Sequence, residues 1–319
     1  MKVLVRDQDL SDDYIRFAAQ IGADGFDIHN EKNIPGVASD GYADVDGVRA
    51  LVDRLRRLGM GIYRVSPPTP TNYLLDQPGG QEEVDNLCRT LEALGRAGAP
   101  IMSMPVHLVH LGSNPGYRGF VQYTHRGGYR MHGFDRERMN RALQVNPPEW
   151  EVEVDAHWER CVRLYQRLIP IAEEFGVKLV LHPSDPQLPT AEWSPRRWSQ
   201  ILDEVPSANN GLLYCVGTRY ETGADVLSDI RAFGRRRKIF HVHFRNVRGT
   251  IPASGGYEEV ALHDGDMNMF QVLRTLKDAG FDGGIQVDHI PQYDGDTEFH
   301  GIGWAYAVGY VRALLVAME

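Results

Sequence analysis

Along most of the chain an amphipathic helical run ends at a glycine, and a short apolar, β-branched run follows within a few residues. The segments 17–29 (FAAQIGADGFDIH), 52–66 (VDRLRRLGMGIYRVS), 91–106, 171–183 (IAEEFGVKLVLHP), 230–244 and 273–289 all read this way. Glycine supplies the left-handed residue that closes a helix, and the run after it has the length of a strand. The pattern predicts eight strands, at residues 3–6, 25–29, 62–66, 101–106, 178–182, 212–216, 239–244 and 284–289. A final helix is expected from about Tyr306 to Met318. Eight βα units in 319 residues most simply close as an α/β (β/α)8 TIM barrel, a single domain over 1–319. A doubly wound open sheet would want a glycine-rich phosphate loop after its first strand, and VRDQDLSDD (5–13) contains no glycine.

One connection breaks the rhythm. Residues 107–148, after the fourth strand, show no convincing amphipathic element and read as one long loop. Loops of this length in compact domains usually serve a site, and this one leaves the face where barrel active sites sit. It carries His107, His110, Tyr117, Arg118, Tyr123, His125, Arg126, Tyr129, Arg130 and His132, a set of cations and hydroxyls suited to a small anionic molecule such as a sugar acid. Hydrophobic content of 42% and charged content of 24% are ordinary for a globular protein with a sizeable core. A net charge of −9 without a basic run argues against nucleic acid or an anionic membrane as partner. The apolar runs are of strand length, so no membrane span is expected. Cys88, Cys161 and Cys215 are odd in number and far apart, which points to a reducing cytoplasm rather than a disulfide framework.

The chemistry gathers at the ends of strands five to eight, which read LVLHPSDP, LLYCVGT, HVHFRN and IQVDHIP. Each offers a good metal ligand: His182, Cys215, His241 or His243, and Asp288. Consecutive barrel strands converge on one mouth, so imidazole, thiolate and carboxylate would meet around a common point and hold a divalent cation. Ligand softness alone leaves manganese, zinc, iron and cobalt open. His241 and His243 lie two residues apart and share a face of their strand, with Arg245 continuing it.

The segments HPSDP (182–186), NGLLYCVGT (210–218), HFRNV (243–247), HDGDMNMFQVL (263–273) and VDHIP (287–291) resemble the mannonate dehydratase family, within the xylose-isomerase-like metal-dependent barrels. MPVHLVH (104–110) and GGYRMHGFD (127–135) are weaker echoes. The resemblance implies one ion, manganese by the family's habit, on His182, Cys215, His243 and Asp288. It leaves His241 about 6–7 Å deeper in the strand as a supporting residue. It also implies loss of the α-proton of an aldonic acid to a metal-stabilised enediolate and departure of the 3-hydroxyl, giving a 2-keto-3-deoxy acid. His289 matches the family's catalytic histidine. Arg245, Arg126 and Arg130, with His107, are expected to hold the substrate. The family's catalytic tyrosine falls at Trp304 or Ala305, so Tyr306 is the expected replacement, with Tyr220 as another. A sugar isomerase or epimerase, needing only the ion and a base, is the alternative. Barrels of this group often associate as homo-oligomers, dimers or tetramers, but no stretch of this sequence shows an interface.

Overall fold

In the computed structural model, residues 1–104, 118–145, 153–182 and 195–319 are described. Eight strands close into a parallel barrel: β1 (Lys2–Arg6), β2 (Gly25–Ile28), β3 (Gly61–Val65), β4 (Ile101–Met104), β7 (Lys178–Leu181), β8 (Asn210–Cys215), β9 (Ile239–His243) and β12 (Gly284–Gln286). Around the barrel they run β1-β12-β9-β8-β7-β4-β3-β2, and β2 closes onto β1. This is the (β/α)8 architecture that the repeated helix–glycine–strand pattern predicts, and it excludes the open sheet. The strands are almost wholly buried because helices cover their outer face and side chains fill the interior. Helix boundaries follow local chemistry. The Ser11 side chain accepts from Tyr14 N–H to open the helix Asp12–Gln20, and Gly98, at φ 82°, closes the helix Gly80–Ala97 ahead of β4.

Two expectations are corrected. The stretch after β4 is not one structureless loop. Within it lie β5 (Phe120–Thr124), β6 (Arg130–Asp135) and a helix, Arg136–Val145. β5 and β6 join β10 (Asn246–Arg248) and β11 (Gly256–Val260) in a four-stranded antiparallel sheet, ordered β10-β11-β6-β5. Short, glycine-bearing strands are marginal alone, and here they are formed by pairing with a segment more than a hundred residues away. That pairing is invisible to local periodicity.

The last helix begins at Gly301, five residues before the expected start at Tyr306, and runs to Val316. Among the described residues, no helix is long and apolar enough to cross a membrane. All three cysteines are free thiols.

Candidate metal and acid–base site

Strand ends deliver the four expected ligands to one place. Cys215 and His243 end their strands and are register partners across the β8–β9 pair, while His182 follows β7 directly. The ligand atoms of His182, Cys215 and His243 all lie within 4.8 Å of one another. Asp288, two residues past the end of β12, brings Oδ2 to 3.5 Å from His243 Nδ1 and 4.0 Å from Cys215 Sγ. The donors are two imidazoles, a thiol and a carboxylate around a common point, a set that fits a first-row divalent ion. Burial pushes the His243 ring down to about 4, which keeps it in the neutral form that ligates. Neither ring nitrogen of His243 has a hydrogen-bond partner among the described residues, as expected of a ring whose partner is an ion.

The ligands are held from behind. The Thr218 hydroxyl donates to Cys215 Sγ at 3.1 Å and accepts from Arg245 Nη2 at 2.8 Å. Arg245 is buried, and its guanidinium also meets Glu221 Oε1 at 2.8 Å, Glu259 Oε1 at 3.3 Å and Asp288 Oδ2 at 3.3 Å. Such a residue is spent on orienting ligands, so the structure does not offer its fork to a substrate carboxylate.

On the other side, Asp27 on β2 pairs with Arg64 on β3 at 2.5 Å and accepts from His241 Nε2 at 2.8 Å. Burial would raise the Asp27 carboxyl, yet Arg64, His29 and His241 together hold it well below the usual range. Asp27 with His241 and His243 also has metal-ligand spacing, but its carboxylate is neutralised by Arg64, so the cluster reads as support for His243. His241 thus sits behind the ligands. Sequence reading passed over Asp27 and Arg64, although each is a lone charge inside an apolar strand, at the centre of GFDI and of IYRV.

The His289 ring, about 32% exposed, places Nδ1 2.7 Å from Glu259 Oε1, with Arg245 Nη1 2.8 Å from the same nitrogen. The carboxylate contact assigns the proton to Nδ1 and leaves Nε2 as the nitrogen that exchanges one. Burial alone would lower the ring; Glu259 and Asp288, against the opposing charge of Arg245, lift it above its ordinary value. Because β12 ends at Gln286, the strict alternation of strand side chains no longer applies at 288 and 289, and both reach the mouth. Glu259 lies on β11 of the added sheet, whose link to the barrel leaves no mark in local periodicity.

A cavity of about 420 Å³ opens above these groups, lined among others by Arg6, Asp7, His132, Asp288, His289 and Trp304. Among the described residues, no tyrosine lines it. Trp304 and Tyr306 both lie on the helix that starts at Gly301, so their side chains are about 200° apart. Trp304 faces the cavity, whereas the Tyr306 hydroxyl lies 2.7 Å from His263 Nδ1. Tyr220 is turned to Asp266. Arg130 pairs with Asp294 at 3.1 Å, and Arg126 is exposed on a short turn. The structure therefore brings together the four ligands and His289, but not Tyr306, Arg126 or Arg130. His107 lies outside the described residues.

Burial pushes His29, His241 and His243 all below their ordinary range. In acid the unfolded chain takes up a proton at each ring near pH 6.5 while the folded chain does not, so the unfolded state binds more protons and stability falls. These three rings, neutral in both states there, are expected to leave the Tm of the metal-free protein unchanged from pH 8 to 7. Below about pH 6 each ring then contributes a loss of ~1.4 kcal/mol per pH unit. A Tm that holds or rises down to pH 5 would contradict the buried neutral assignment.

A TIM barrel whose mouth gathers His182, Cys215, His243 and Asp288 beside a carboxylate-backed histidine has the donor set and the acid–base group of a metal-dependent enzyme. The profile of the D-mannonate dehydratase (UxuA) family matches residues 119–319, and the chain belongs to that family, one of hydro-lyases. It is 24% identical to mannonate dehydratase 2 of Halalkalibacterium halodurans, over 79% of this chain and 80% of that protein. It is 28% identical to mannonate dehydratase of Lactococcus lactis subsp. cremoris, over 60% of this chain and 57% of that protein. The crystal structure of mannonate dehydratase from Streptococcus suis serotype2 superposes with a TM-score of 0.79 at 21% identity, covering 100% of this chain and 94% of that one.

Proposed function

We propose that the chain dehydrates a mannonate-like aldonate to a 2-keto-3-deoxy acid, with one divalent ion held by His182, Cys215, His243 and Asp288. The observation that carries this reading is the convergence of those four donors beside His289, whose ring is backed by Glu259. When bound, the ion supplies Lewis-acid stabilisation of the negative charge that develops on the substrate's carboxylate end. Manganese is the proposed ion on the strength of the family resemblance; the donor set itself would also accept zinc, iron or cobalt.

His289 Nε2 takes the proton from C2 as the C2–H bond breaks. The same ring then delivers a proton to the 3-hydroxyl, which departs as water when the C3–O bond breaks. The resulting enol tautomerises to the 2-keto acid. Glu259 stabilises the imidazolium between the two transfers, and Arg245 holds Glu259 and Asp288 in fixed relation. Trp304 and the added sheet cover part of the mouth and limit water near the reacting carbons.

The metal-loaded protein, incubated with a panel of sugar acids, is expected to yield 2-keto-3-deoxy acid from at least one. Absence of keto acid from every member would overturn the reading. The turn of Tyr306 toward His263 favours a second reading, epimerisation or isomerisation, which needs the ion and base alone.

A further inference from the structure

The cavity of the proposed dehydratase needs a cation for the substrate's carboxylate, and neither the arginines the sequence suggests nor the buried Arg64 supply it. Arg245 is buried among Thr218, Glu221, Glu259, Asp288 and His289, Arg64 is locked on Asp27, Arg130 is on Asp294, and Arg126 does not line the cavity. Arg6, the last residue of β1, does line it and is exposed there.

Strand register says why. Leu4 pairs with Gln286, Gln286 with His243, and His243 with Cys215. Register partners on parallel strands share a face, so all four point into the barrel with the ligands. Two residues further toward the mouth from Leu4, Arg6 faces the same way, and it lines the cavity together with Asp288. On its other side Arg6 is the register partner of Asp27.

The acids around Arg6 are already served. Asp7 accepts from the backbone N–H groups of His29 and Asn30 and from Asn33 Nδ2; Glu259 meets His289 and Arg245; Asp288 meets Arg245. Among the described residues, no carboxylate forms an ion pair with the Arg6 guanidinium. A planar, permanently charged fork at the rim of a polar cavity, beside a metal ligand, is built to take a carboxylate in two parallel hydrogen bonds.

We infer that Arg6 is the anchor for the carboxylate of the sugar acid, and that it selects aldonates over neutral sugars at this site. This rests on the dehydratase reading for the substrate class, but not on turnover. The test is calorimetric binding of D-mannonate and of the matching alditol, which has no carboxylate, to metal-loaded wild type, Arg6→Ala and Arg6→Lys.

In Arg6→Ala, affinity for mannonate is expected to fall roughly 10- to 100-fold, with KM rising by a similar factor. Metal content and Tm should stay at wild-type values. Arg6→Lys should recover part of the loss, because it restores charge without the fork, and alditol binding should not respond to either change. Arg6→Ala binding mannonate as tightly as wild type would overturn the anchor. A wild type that binds aldonates through Arg6 yet releases no water would overturn the dehydratase reading and support the anchor. A wild type that binds no aldonate would overturn both.

Discussion

Replacing His289 with glutamine is expected to lower kcat for the sugar acid by roughly 10²–10⁴-fold while the bound metal stays at one ion per chain. Glutamine keeps a polar contact to Glu259 but cannot cycle a proton at the position of Nε2. Glu259 and Arg245 both touch the same ring nitrogen, so their network survives the change and the ligand Asp288 keeps its place. KM should move much less than kcat, since the ring acts on the reacting proton rather than on ground-state binding. A variant within about tenfold of wild type in kcat would remove His289 from the proton transfer. A variant that lost its metal would assign the ring to ligand support instead.

Cys215→Ala and His243→Ala are expected to have the larger effect. Each removes one donor from a set whose members lie within a few ångströms of each other. Residues that merely orient a metal ligand typically change affinity 10- to 100-fold, so loss of a ligand should weaken it by more than roughly 100-fold and abolish turnover. Elemental analysis after dialysis checks this. Retention of one ion per chain in both variants would show that the ion sits elsewhere. The Thr218 hydroxyl and the Arg245 guanidinium remain hydrogen-bonded to each other in Cys215→Ala, so the metal-free variant should still fold.

The barrel was legible because each βα unit carries its own local punctuation: a helix-closing glycine, then a buried strand. The candidate ligand cluster was legible because residue types rare in buried strands recur at the ends of four consecutive strands. What escaped depends on contacts distant in sequence. β5 and β6 exist because β11 pairs with β6, and Glu259 reaches His289 through that sheet alone. Asp27 and Arg64 compensate each other across neighbouring strands, and neither signals anything by itself. Arg245 continues the face of His243, which made it look like a substrate residue; buried acids on three other segments claim it. Tyr306 was misplaced by the helix start, because five more helical residues decide which way each aromatic turns.

The central claim is that this site removes water rather than only moving a proton. It is tested most directly by incubating metal-loaded protein with D-mannonate in deuterated water and weighing the product. The account predicts a 2-keto-3-deoxy acid lighter than the substrate by one water, apart from any deuterium taken up from solvent. A product of unchanged formula that gains deuterium at C2 would contradict it and make the barrel an epimerase.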